Sequence, residues 1–169
     1  ESSRGDAEAL RDGIDRRAGE TTHRWDGRAG DWVGCVWPEP VRIDRIRLIG
    51  DSNLHDHKRM PCSFPLRGNR VSMPAPLPRH LRIEARQPDG SWQAVGSIED
   101  NAHRCIRWTP PDSLTTDAIR VVLVAPWGTA PDQRVSLFAF DVGLPEERGA
   151  IKTAPWPPTT VTGKRQPSA

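Results

Sequence analysis

The sequence has no tyrosine, three phenylalanines, two methionines and three cysteines, and each scarcity excludes something. Cys35, Cys62 and Cys105 cannot all pair with one another, and no CxxC spacing occurs. Neither a disulfide framework nor a thiolate zinc site is therefore indicated, and buried free thiols are expected. No apolar run approaches the ~20 residues of a membrane span. No apolar signal-type segment opens the sequence either, so the compartment stays unassigned. The chain begins with Glu rather than Met and reads as part of a longer protein. Charge of a single sign is also missing. The 24 basic and 22 acidic residues are interspersed for a formal net charge of +2, which gives no basic face for nucleic acid.

What the chain does have is tryptophan, proline and glycine. Seven tryptophans, seventeen prolines and fourteen glycines in 169 residues argue against a helical bundle, because proline interrupts helices. They favour one β-domain with tryptophans in its core and on its loops. Alternating apolar residues mark strands at 31–37, 41–50, 80–87, 91–98, 103–109, 118–125 and 134–142, with turn residues between them. "PDG" at 88–90 closes a hairpin. The Val122 and Val124 row opposite Ile119, Val121 and Leu123 predicts a central strand buried on both faces. "AEALRDGID" allows one helical turn ending at Gly13. The fold class expected is all-β, a two-sheet antiparallel sandwich of jelly-roll type with long loops. The expected organisation is a linker over 1–9, the sandwich over 10–145 and a Pro/Thr-rich tail over 146–169, where Trp156 is the one large anchor.

Enzymatic signatures are absent. No GxGxxG follows a strand, and there is no phosphate-cradling GxxxxGK[ST], no GxSxG elbow and no HExxH helix. His55-Asp56-His57 is the one metal-like grouping, since residues i and i+2 of an extended segment point the same way. Zinc needs three or four ligands, and only Asp51, Asn53 and Cys62 are near in sequence, so ordinary loop histidines and no metal are expected.

The order of motifs resembles the discoidin, or coagulation factor V/VIII type C, family with its galactose-binding-like fold. "DGIDR…HRW", "DWVGCVWPEPVRIDRIRLIGDS", "RIEARQPDGSWQAVG", "AIRVVL" and "VSLFAFDV" carry the likeness over roughly residues 10 to 143. A narrower set, "DSNL", "MPCSFPL", "LPRHLRIEA", "DGSWQAV", "EDNAHR", "APWGT" and "LFAFDV", is similar to the C-terminal accessory domain of bacterial FAD-dependent oxidoreductases. That resemblance implies a non-catalytic module whose partner is a separate flavin-binding catalytic domain, with FAD there and no cofactor in this chain. The wider family also implies a structural calcium near the "DG" loop, with Asp12 as the first ligand. Its closing acid is replaced here by Ala139, and a methyl cannot ligate a cation that requires oxygen donors.

Sugar recognition by rim loops is the first functional expectation. It needs an aromatic face with fixed polar groups, and the loops offer Arg24, Trp25, Asn53, His55, Asn101, Arg104 and Trp127. The bland alternative is that Trp25 plugs the sandwich end and Arg104 pairs with a loop carboxylate. A second expectation is structural docking on the flavoprotein, with Met60, Phe64, Pro65 and Leu66 as the contact surface of a proline-braced loop. A hydrolase is the remotest reading, for want of any nucleophile–base arrangement.

Overall fold

Eight strands form among the described residues, 1–16, 23–53 and 73–144, of the computed structural model. They are β1 Trp25–Gly27, β2 Trp32–Ile43, β3 Arg45–Gly50, β4 Pro78–Arg86, β5 Trp92–Ile98, β6 Cys105–Trp108, β7 Leu114–Pro126 and β8 Val135–Gly143. Two four-stranded sheets result, ordered β1-β8-β3-β6 and β2-β7-β4-β5, with every pairing antiparallel. The expected two-sheet sandwich is what forms. Among the described residues no helix is long and apolar enough to cross a membrane.

The inward rows interlock through period-two alternation, with one slip of phase in β8 between Leu137 and Ala139. Ile46, Leu48, Val135, Leu137 and Phe140 of the first sheet face Val33, Leu81, Ile83, Ile119, Val121 and Leu123 of the second. Trp25 closes one side of this core at 2% exposure. Its ring lies over Gly27, where an added Cβ would come within 2.3 Å of the ring, so only glycine fits two residues further along β1. The hairpin turns at Gly90, whose φ of +83° suits glycine.

Several expectations are corrected. The break foreseen at "PEP" lies instead at Asp44: β2 runs on through Pro38 and Pro40, with a register shift between Val36 and Val41. An edge strand tolerates prolines because one side of its backbone needs no ladder bonds. β1, only three residues long, is too short to show periodicity. The helical turn is confined to a 3₁₀ turn at Glu8–Leu10, which buries Leu10. Residues 1–9 touch the sandwich: Ser2 bridges Val33 and Ser3 N–H donates to Trp32 O at 2.9 Å. β7 is central, but Val124 is 44% exposed and its outer face is only partly covered. Cys105 is exposed and Cys35 half-buried, since Cys105 points outward from edge strand β6 while Ile106 points in. Burial pushes the Cys35 thiol above its usual range. The 146–169 tail, the His55-Asp56-His57 grouping, Cys62 and the docking residues Met60, Phe64, Pro65 and Leu66 lie outside the described residues.

The outer face of the β2-β7-β4-β5 sheet carries an unexpected lattice. The Arg120 guanidinium lies 4.1 Å from the Trp92 ring centroid and 5.3 Å from that of Trp32. Glu84, opposite Arg120 in register, accepts from Arg120 at 2.7 Å and from Arg82 at 2.6 Å. Its side chain is only 8% exposed. Burial pushes its carboxyl up, but hydrogen bonds from Arg120 and Arg82 outweigh that and hold it below the ordinary range.

Candidate functional site

One end of the sandwich gathers the connections β1–β2, β3–β4, β5–β6 and β7–β8. Backbone bonds stitch two of them together and tie a third to the start of β4. Asn101 N–H donates to Arg79 O at 2.9 Å, Trp127 N–H to Leu77 O at 3.3 Å and Gly128 N–H to Ala75 O at 3.2 Å. Asn101 is the keystone at 6% exposure. Its amide nitrogen donates to Pro78 O at 2.9 Å and His103 O at 3.0 Å, and its amide oxygen accepts from His103 N–H at 3.0 Å. Its backbone carbonyl accepts from Trp127 Nε1 at 2.6 Å, which fixes the indole at the rim. Asparagine suits this position because it offers donors and acceptor on one short side chain.

Beside Trp127 stands a charged pair. The Arg79 guanidinium lies 4.9 Å from the Trp127 ring centroid, and its Nε donates to Asp100 Oδ1 at 2.8 Å. Asp100 adopts φ +47°, a left-handed conformation that aspartate tolerates better than most residues. Its N–H donates to His80 Nδ1 at 3.3 Å. Arg79 and Asp100 are 43% and 65% exposed, so solvent screens the pair and its net worth is about 0–1 kcal/mol. The rim thus presents an indole, a guanidinium, a carboxylate and an imidazole within one small area.

Of the residues expected from sequence, Trp127 and Asn101 come together here, Asn101 as the support of Trp127 rather than a free contact. Trp25 is a core residue whose Nε1 donates to Arg4 O, so it offers no ligand face. Arg24 pairs with Asp26 at 3.1 Å. Arg104 donates to the Asp15 carbonyl and lies 4.0 Å from its carboxylate, so the plug and the loop pair weighed as bland alternatives are what form. Asn53, with φ +55°, turns on the buried Asp51, whose Oδ1 accepts from Asn53 N–H at 2.8 Å. His55 lies outside the described residues. Sequence reasoning missed Arg79, His80 and Asp100. The available signal was a basic pair at the loop end of β4, with an acid just before the Asn101 turn.

Asp12, foreseen as the first calcium ligand, is engaged within the chain. One Asp12 oxygen accepts from Ile14 N–H at 2.8 Å and the other lies 2.6 Å from His23 Nδ1. The Ile14 bond and then His23 hold the Asp12 carboxyl low. Ala139 packs its methyl with Ile49 and Phe138. Among the described residues no three His, Cys, Asp or Glu side chains are grouped to hold a metal.

No family model matches the sequence, and no curated protein matches it. Solved structures do. A family 32 carbohydrate-binding module from Streptococcus pneumoniae EndoD superposes with TM-score 0.60 at 11% identity, over 85% of this chain and 92% of that one. The family 32 module of Clostridium perfringens NanJ, solved in complex with galactose, gives 0.54 at 11% identity over 84% and 90%. Chitosan-binding module 1 from a chitosanase/glucanase of Paenibacillus sp. IK-5 gives 0.53 at 17% identity over 82% and 84%. The sheets, their core and these superpositions together assign the chain the discoidin-like, galactose-binding-like sandwich fold that family 32 carbohydrate-binding modules have.

Proposed function

We propose that this chain is a non-catalytic carbohydrate-binding accessory module whose ligand stacks on Trp127 at the rim. The observation that carries the reading is the Trp127 indole, locked by Asn101 and flanked by Arg79, Asp100 and His80. A pyranose presents an apolar face and a ring of hydroxyls, and such a site supplies an aromatic surface with nearby polar groups. The fold likeness to modules named as carbohydrate-binding supports the same reading. The narrower sequence resemblance supports a bacterial FAD-dependent oxidoreductase as the parent, with this module as its glycan-contacting appendage. Titration of the protein with a glycan panel including galactose, N-acetylgalactosamine and chitotriose, followed by NMR, tests it. Saturable shifts at the Trp127 indole N–H, lost in Trp127→Ala, are the expected result; no saturable response across the panel overturns the proposal.

A further inference from the structure

Arg79 is an odd neighbour for a ring that must stack on a neutral sugar. Its guanidinium already lies over the Trp127 indole at 4.9 Å and covers part of the surface a pyranose would use. The arginine is held there by one oxygen of Asp100, which contacts Nε and one terminal nitrogen at 2.8 Å each. Guanidinium is a planar fork with five donors that matches a carboxylate with two parallel bonds. A single Asp100 oxygen on its side edge leaves that two-oxygen match unmade. Asp100 itself is 65% exposed, so solvent screens its hold on Arg79 and its displacement by a ligand carboxylate costs little. Asn101 ties arginine and indole together at the base, donating its N–H to Arg79 O and accepting from Trp127 Nε1 with its carbonyl, so the arginine backbone and the ring are anchored side by side.

We infer that the rim selects acidic saccharides, with Arg79 gripping the carboxylate of a uronic acid whose ring lies along Trp127. The inference rests on the rim reading above and names its ligand class. Arg79 is the specificity-determining residue, and Asp100 is the internal stand-in that the ligand carboxylate displaces. Neutral sugars meet only the uncovered part of the indole.

Calorimetric titration of the whole chain with a galacturonic acid trisaccharide and the matching neutral galactose trisaccharide tests this. Wild type is expected to bind the acidic sugar at least about tenfold more tightly, with the margin shrinking in 0.5 M NaCl. Arg79→Ala removes the margin by weakening the acidic ligand while neutral affinity holds or rises. Asp100→Asn, which removes the competitor, raises acidic affinity by about threefold or more, a gain that misfolding cannot imitate. Equal affinity for both sugars in wild type, or equal losses for both in Arg79→Ala, overturns the inference and leaves the rim reading standing. Binding of neither sugar, nor of any member of the wider panel, removes both.

Discussion

Two regions of this molecule use the same three kinds of side chain to opposite ends. On the outer face of the β2-β7-β4-β5 sheet, Arg120 lies between Trp32 and Trp92 and bonds to Glu84. At the rim, Arg79 lies over Trp127 and bonds to Asp100. Glu84 is 8% exposed and shared by two arginines, whereas Asp100 is 65% exposed and served by one. Burial is the difference. A buried carboxylate stripped of its partners strands charge in a poor solvent, so the facial lattice is locked. An exposed pair trades partners at small cost, so the rim is open to exchange.

The comparison is broken most directly at Glu84. Replacement by Ala leaves Arg120 without its carboxylate and is expected to cost about 2–3 kcal/mol in urea unfolding, less than a fully buried pair because the arginines reach solvent. A loss below about 0.5 kcal/mol would make the facial lattice as dispensable as a surface pair. At the rim the effect falls on binding instead. Trp127→Ala should weaken the best glycan at least about tenfold, roughly 1.4 kcal/mol, while unfolding shifts by far less than in Glu84→Ala.

Acidity sharpens the same contrast. The folded Glu84 carboxyl titrates below its ordinary value of 4.5, so its contribution to stability is complete above that pH. It is lost as pH falls through the folded pKa, because the unfolded chain then binds the proton more readily. Glu84→Gln should therefore flatten the stability profile below pH 4.5, as read from urea midpoints across acid pH. The smallest effect is at Trp92: Trp92→Leu removes one cation–π partner and should cost about 0.5–1 kcal/mol with no change in glycan affinity.

Much of the sandwich was legible because most of its inner rows alternate, as in β4 and β7. Leu81, Ile83 and Ala85 against Arg82, Glu84 and Arg86 already show which face of β4 is buried. The tryptophans were legible only in number. Trp25 enters the core, Trp37 and Trp108 pack at its margin, Trp32 and Trp92 lie outside on a sheet, and Trp127 sits at the rim. What separates them is cross-strand register, which no local pattern reports. Trp25 in particular depends on Gly27 two residues later and on Arg4 O far back in the chain. The site was half legible for the same reason. Trp127 and Asn101 fall in turns that composition marks, but Arg79 joins them only because the ends of β4 and β7 lie side by side.

The two guards along β2 have a consequence for crowding. Over its first residues the open flank is taken by Ser2 and Ser3, and further on Pro38 and Pro40 offer no amide hydrogens at all. A bare flank there would invite another molecule's strand to zip alongside and start a growing ribbon. With both stretches blunted, crowded copies can sit shoulder to shoulder without knitting together along this edge.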